Sequence, residues 1–475
     1  MVNNKKEVHI RHSDYTLDFG SGISNDGSVH FTDHTREHER DIGIFLDNQA
    51  FKYRVNQEFP SIVADLIDIA IAIHISDRLA SQNLRQEQRC IRVVLPVRHP
   101  ELLNTGLFQA KLKDLLEWAT GTRWIFDFQK RCAVERTQPS LSIAPTDSEV
   151  ALWSGGLDAL AGLYERLQTQ TERSFVLFGT GSNVNVHSLQ EAVAQKIQSD
   201  FPNRSHLYRF FIRISDSDTH RKNTITRARG VVFAMLGAAC ASLMGRKELC
   251  FYENGTGAIN LPYSTSAIGL DHTRSVHPLT LLKISDLVSD LLGETFRVWN
   301  PFLFSTKAEM CKKLYKDGRS DLSQLTKSCD SPHRKTIDQC GYCSSCLLRR
   351  QAFAASKLED KTRYLILHGN YKPAADPSIS LRHMLAQVDT LQGLLNPSDQ
   401  LEIQWKNLAC KFPVLDDIVD NCSIVEKLTT SDMKSKLIQL YQNYVTEWND
   451  VKSQLSIGLI NINDKEPSNK YCLVA

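Results

Sequence analysis

The sequence predicts an α/β protein: a parallel sheet with helices on both faces in the middle of the chain, a small α+β unit ahead of it and helices behind it. Three observations carry that prediction. Between Val150 and Glu253, short apolar runs alternate with helical stretches, the rhythm of strand–helix–strand crossovers. A Ser-Gly-Gly turn joins the first of these strands to its helix. Four cysteines near the end of the region repeat at metal-ligand spacing.

The elements follow in order. Within residues 1–147, Ile62, Leu66, Ile69, Ala70 and Ile73 fall on one helical face, and Cys90–Val97 reads as a strand. Phe108, Leu112, Leu115, Leu116 and Ala119 form a second amphipathic helix ended by Gly121, and Arg123–Phe128 alternates as a strand. These make an N-terminal α+β domain, and the Pro- and Ser-rich stretch Arg136–Ser148 is its linker. Residues 148–355 hold the alternating core: strands at Val150–Trp153, Val176–Phe178, Phe210–Ile214 and Leu249–Glu253, with helices at Ala159–Leu167, Ser188–Ile197 and Arg229–Met244. Residues 356–475 read as a helical region, with helices at Ile379–Leu394, Asp399–Cys410 and Asp432–Lys452 and a polar stretch from Asn461 to Lys470.

The turn is Trp153-Ser154-Gly155-Gly156-Leu157-Asp158-Ala159. Glycines let backbone N–H groups approach an oxygen closely, and the following helix start adds partial positive charge, so the turn reads as a phosphate or pyrophosphate site. No Lys closes it as in a GxxxxGK[ST] loop, and the GxGxxG spacing is absent. An ordinary strand-to-helix turn is the plain alternative.

Cys329, Cys340, Cys343 and Cys346 are spaced C-x10-C-x2-C-x2-C. Two overlapping CxxC turns supply three sulfurs and Cys329 returns a fourth, a set suited to tetrahedral Zn²⁺. A redox CxxC would leave two of these cysteines without a role, and His333 in the spacer is an alternative ligand. The other eight of the twelve cysteines are scattered, mostly in apolar runs, as reduced core thiols are.

The turn resembles the SGGxDS loop of PP-loop ATP pyrophosphatases, which cleave ATP between the α- and β-phosphates and adenylate a carboxylate or carbonyl oxygen. Ala159 stands where that family has Ser. Together with the cysteines, residues 148–355 resemble 7-cyano-7-deazaguanine synthase, QueC. Thr226-Arg227-Ala228-Arg229 is similar to its TRN helix start, Ser305-Thr306-Lys307-Ala308-Glu309-Met310 to its (T/S)KAE(I/M) segment, and Cys340-Gly341-Tyr342-Cys343-Ser344-Ser345-Cys346-Leu347-Leu348-Arg349 to its CG-x-C-x-x-C-x-x-R ending. Phe178–Ser182 lacks the DYGQ-type residues, and Glu253–Tyr263 does not reproduce DYSGYPDCR. The chain is also far longer than the housekeeping enzyme, and resembles the long QueC-like members of the bacterial Qat anti-phage systems.

That resemblance implies a parallel-sheet PP-loop core, adenine nucleotide α-hydrolase-like, with a zinc knot. It implies ATP held by Trp153, Ser154, Gly155, Gly156, Leu157, Asp158 and Ala159, structural Zn²⁺ on the four cysteines, and Mg²⁺. It implies an acceptor pocket at Asn254 and Gly255, and catalytic roles for Asp158, Lys307 and Arg227. For Asp158 the alternative is a first-turn helix acid; for Lys307 and Arg227 it is a solvated surface charge. Glu309 reads as a helix-surface partner of Lys312 and Lys313, and Arg349-Arg350 as a solvated helix end. His187, His206, His220, His272 and His277 read as non-catalytic.

The implied activity is ATP-dependent activation of a 7-deazaguanine carboxylate for attack by ammonia or by an amine of a protein partner from the same operon (QatB-like). The altered acceptor segments also permit a catalytically degenerate ATP-binding scaffold, and the loop family includes tRNA-modifying enzymes. A net charge of +2 supplies no basic field for nucleic acid as a direct substrate. The polar start is no signal peptide, and Ile62–Ile75 is too short and too charged to span a bilayer, so a cytoplasmic protein without membrane contact is expected. The closing Cys472-Leu473-Val474-Ala475 fits a prenylation pattern but lacks a polybasic approach.

Overall fold

The computed structural model describes residues 13–47, 60–81, 89–132, 147–181, 184–215, 226–263, 274–330, 339–367 and 376–456. The linker residues 136–146, Ser182, His220, His272, His333 and the terminal residues 461–475 lie outside the described residues. The first part of the chain runs β1 (Tyr15–Asp18), β2 (Asp26–Asp33), β3 (His38–Asp47), α1 (Ser61–Leu79), β4 (Cys90–Val97), α2 (Pro100–Leu103), α3 (Gly106–Thr120) and β5 (Arg123–Lys130). The middle runs β6 (Ser148–Leu152), α4 (Leu157–Thr169), β7 (Ser174–Gly181), α5 (Val184–Asp200), β8 (Ser205–Ser215), α6 (Arg229–Leu243), β9 (Glu248–Cys250), α7 (Gly255–Ile259), α8 (Pro278–Leu292), β10 (Arg297–Trp299), α9 (Lys307–Lys316), α10 (Ser320–Gln324) and α11 (Ser344–Ser356). Four helices follow: α12 (Ile379–Leu394), α13 (Leu401–Lys411), α14 (Val414–Cys422) and α15 (Thr430–Ser456).

These strands form one mixed sheet, in the order β10-β9-β6-β7-β8-β3-β2-β1-β4-β5. The five on the β10 side are mutually parallel, as the crossover rhythm predicts. The sequence reading treats residues 1–147 as a unit of their own. Their strands instead continue the central sheet, because β3 pairs antiparallel with β8 from Gly43↔Ser215 to Asp47↔Phe211. In β2 and β3 only alternate positions are buried, and in β2 the others are polar or glycine.

One apolar cluster runs across that seam, from Leu17 and Ile67 to Val232 and Leu287, so α6 is buried between the sheet and α1. The run Gly237-Ala238-Ala239-Cys240-Ala241 lets this helix approach its neighbours closely. The opposite face of the parallel strands is covered by α4, α5 and α9. A third cluster joins α7 to α12, α13, α14 and α15. Among the described residues, no helix is long and apolar enough to cross a membrane.

Candidate functional site

β6 lies between β9 and β7, so the strand order reverses there. The crevice beyond the carboxyl ends of strands at such a point is where open α/β sheets bind ligands. The Ser154 turn leaves β6 at this end and Asn254 follows β9, as expected for one shared crevice.

The turn is held from below. Trp153 is buried; its indole N–H donates to the Gln190 carbonyl at 3.0 Å, and Gln190 Nε2 returns a bond to the Trp153 carbonyl at 2.8 Å. Gly155 has φ +72°, and a methyl there would sit 3.2 Å from the Gln190 backbone, so only glycine fits without strain. The Gly156 amide donates to Ser154 Oγ at 3.1 Å, while the Ser154 side chain is exposed. Gly156 begins α4 without a side-chain cap, leaving first-turn amides available to an anion. Leu157 and Ala159 point into the core and contribute backbone rather than side chain.

Asp158, in that first turn, ion-pairs with Lys307 and accepts a bond from Asn254 Nδ2 at 3.0 Å. Asn254 Nδ2 also donates to Glu253 Oε1 at 2.7 Å, and its Oδ1 caps α7 through the Gly257 amide at 2.8 Å. Lys307 is buried rather than a solvated surface charge. Burial opposes its charge, but the Asp158 and Glu253 carboxylates outweigh that and raise its pKa. Glu253 is pushed up to about 8, by burial first and by Asp158 second, with Lys307 opposing. One turn along α9, burial pushes the Cys311 thiol up to about 12. The sequence reading assigns no role to Glu253, though it stands beside Asn254; nothing local marks it as buried against Asp158.

The raised Glu253 pKa has a consequence for stability. The folded chain binds this proton between the ordinary carboxylate pKa near 4.5 and about 8, where the unfolded chain does not. Stability from the neutral acid is therefore complete below about 4.5 and lost as pH rises toward 8. Glu253→Gln is expected to flatten the fall of the melting temperature between pH 5 and 8, read by thermal unfolding at matched ionic strength. An unchanged slope would show that Glu253 does not carry it.

Arg227 has its guanidinium against Gly121 and near Arg274. Glu309 is not the surface partner of Lys312 and Lys313 expected from spacing. It completes a capping box with Thr306 and accepts a bond from Asn443 at 2.9 Å. Arg349 and Arg350 are buried rather than a solvated helix end. Arg349 donates to Thr326 and the Ser323 carbonyl, and Arg350 to the Gly341 carbonyl, because loops fold back over α11. Their charges are used inside the protein.

Cys329, Cys340, Cys343 and Cys346 come together as the spacing predicts, with their sulfurs within 4.8 Å of one another. Cys340 and Cys346 sulfurs are 3.8 Å apart. Four thiolates about 2.3 Å from one tetrahedral Zn²⁺ would be separated by about 3.8 Å, so the cluster fits that ion. None of the four is in a disulfide. Cys343 begins α11, so the knot anchors that helix.

Residues 148–357 match the family described as "Queuosine biosynthesis protein QueC". This segment is a QueC-type domain. Curated relatives agree at low identity: the 7-cyano-7-deazaguanine synthase of Syntrophobacter fumaroxidans is 27% identical over 142 residues, covering 30% of this chain and 57% of that protein. The 7-cyano-7-deazaguanine synthase of Coxiella burnetii is 26% identical over 144 residues, covering 30% of this chain and 58% of that protein. The chain thus spans somewhat over half the length of the relatives it matches, and α12–α15 lie outside the QueC-type domain. The QueC-type segment carries a four-cysteine cluster that could hold zinc.

Proposed function

We propose that the chain adenylates a carboxylate of the 7-deazaguanine class and passes the activated acyl group to ammonia or to an amine of a protein partner. The observation that carries this is the juxtaposition of the uncapped Ser154–Asp158 turn with the Asp158–Lys307 pair at the reversal of strand order. First-turn amides of α4 would hold the phosphates of ATP. Lys307, released from Asp158 when the nucleotide enters, would neutralise pyrophosphate as it leaves. Asp158 would then be free to hold Mg²⁺, which supplies further charge neutralisation when bound. Arg227 is assigned a supporting role toward the phosphates.

In the adenylation step, a carboxylate oxygen attacks the α-phosphorus and the bond to pyrophosphate breaks. The amine then attacks the acyl carbon, AMP leaves and the amine loses a proton. The acceptor pocket is assigned to Asn254 and Gly255. Beside them lies a cavity of about the size of one water, lined by Thr256, Leu261, Tyr263, Leu348, Gln387, Tyr441 and Tyr444. We read the chain as three segments, residues 1–147, whose strands extend the central sheet, 148–355 and 356–475, in a cytoplasmic protein of a Qat-type anti-phage system with a QatB-like partner. Nucleic acid is not a direct substrate.

A second reading, an ATP-binding scaffold without turnover, is favoured by Ala159: it is packed in the core where PP-loop enzymes place a hydroxyl. ATP–pyrophosphate exchange separates the two. Exchange that requires 7-carboxy-7-deazaguanine is expected, together with a deazaguanine-sized mass gain on a co-expressed partner if the acceptor is a protein. Binding of ATP without exchange for any deazapurine acid would leave the scaffold.

A further inference from the structure

We propose that Glu447, on α15 and outside the QueC-type domain, is a positioning residue that holds the start of the lysine-bearing helix α9 so that Lys307 meets Asp158. The proposal rests on the adenylating reading for its effect on rate. Its geometric part stands apart from that reading.

Thr306 is the cap of α9 and immediately precedes Lys307. Its hydroxyl accepts from the Glu309 amide at 3.1 Å and donates to Glu447 Oε1 at 2.6 Å. Glu309 closes the capping box by accepting from the Thr306 amide at 2.8 Å, and its second oxygen accepts from Asn443 on α15. Both members of the box are therefore tied to the same C-terminal helix, one turn apart on its surface. The other Glu447 oxygen accepts from Gln351 Nε2 at 3.2 Å, on the helix that the cysteine knot anchors. One carboxylate thus joins α9, α11 and α15.

The contact continues along the chain before Lys307. Lys436 of α15 lies 5.3 Å from the Phe304 ring, and the Ser305 carbonyl accepts from the Gly255 amide at 2.8 Å. A methyl at Gly255 would overlap the Leu303 carbonyl and sit 2.8 Å from Leu440 of α15. Backbone, α7 and α15 are in contact here with no slack, so a change in α15 is transmitted to residues 303–309.

Burial raises the Glu447 pKa to about 7; the bonds from Thr306 and Gln351 oppose this, Glu309 adds to it and Lys312 opposes it. Protonation removes one of the two acceptor positions, so the junction is complete only above that pH.

The test compares Glu447→Ala, Glu447→Gln and Asn443→Ala in the full chain, with hydrogen exchange at residues 306–309, ATP–pyrophosphate exchange and melting temperature. Glu447→Ala is expected to speed exchange of the Glu309 amide and to lower the catalytic rate about 10- to 100-fold, with the ATP dissociation constant changed less than about 3-fold. Glu447→Gln, which keeps an acceptor for Thr306, is expected to recover most of the rate and to lose the inflection near pH 7. Asn443→Ala should show a smaller version of the first effect, and serves if Glu447→Ala does not fold. Unaltered amide exchange in either alanine variant overturns the proposal. So does a glutamine variant as slow as the alanine one with the same loss of melting temperature. A wild-type chain silent in pyrophosphate exchange would remove the adenylating reading, while amide exchange would still decide whether Glu447 holds α9.

Discussion

Lys307→Met is expected to lower pyrophosphate exchange by about 10²- to 10³-fold, the scale on which a group stabilising developing charge acts. It should also destabilise the chain. Asp158 and Glu253 would face each other without the ammonium that offsets their charge, and breaking one partner out of a buried pair costs about 3–5 kcal/mol. Part of that cost falls away as the acids take up protons. The two effects come apart in the double variant Asp158→Asn/Lys307→Met, which leaves no unpaired charge at this pair. Stability, read by denaturant unfolding, should largely return while exchange does not. A double variant with wild-type exchange would show the pair to be structural only.

Loss of the four-cysteine metal has the other large effect. The knot is a small cluster apart from the three apolar cores, and besides the metal only polar bonds, from Ser344 and Ser345 to Asp330 and from Arg349 to Thr326 and Ser328, tie the Cys329 segment to α11 among the described residues. Structural zinc contributes on the order of 10 kcal/mol where a fold depends on it. One zinc per chain is expected by elemental analysis. Cys343→Ser or a strong chelator should lower the melting temperature by more than 10 °C, and zinc should leave on acidification as the thiolates protonate. Because α11 carries Gln351 beside Glu447, pyrophosphate exchange should fall with the metal. A metal-free chain of unchanged melting temperature would refute the structural role.

Much of this site is legible locally. A strand of five buried residues, two glycines and a helix start announce an anion turn because each requirement is met by neighbours in the chain: φ +72° at Gly155, uncapped amides after Gly156, an acid in the first turn. The cysteine spacing is equally local, since two overlapping turns bring three sulfurs together before any tertiary contact forms. The helices at Ile379–Leu394 and around Asp432–Lys452 follow from their own apolar periodicity, and the structure extends the latter to Thr430–Ser456. Helix α14 has a strong apolar face but is only nine residues long, too short to stand out from its neighbours.

Other features carry no local mark. Lys307 and Arg227 read alike in sequence, as cations near helix starts. Only packing separates them, burying Lys307 against Asp158, 149 residues away, and setting Arg227 beside Gly121 and Arg274. Arg349 follows the knot as a surface arginine would, yet loops cover it and take its donors. Glu309 has lysines at the right helical spacing, but its position at the third residue of α9 lets it reach back to the Thr306 amide.

By itself, then, the sequence determined the kinds of chemistry available: an anion-binding turn, a sulfur set suited to zinc, and a parallel core to display them. These depend on residues within a turn or two of each other, where bond geometry dictates what can meet. Tertiary structure alone decided that the N-terminal strands extend the central sheet, that Asp158, Glu253, Asn254 and Lys307 share one buried cluster, and that a C-terminal helix grips the start of α9. Those are meetings between distant segments. They are set by which apolar faces must be covered and which buried charges must be paired, conditions that belong to the folded whole.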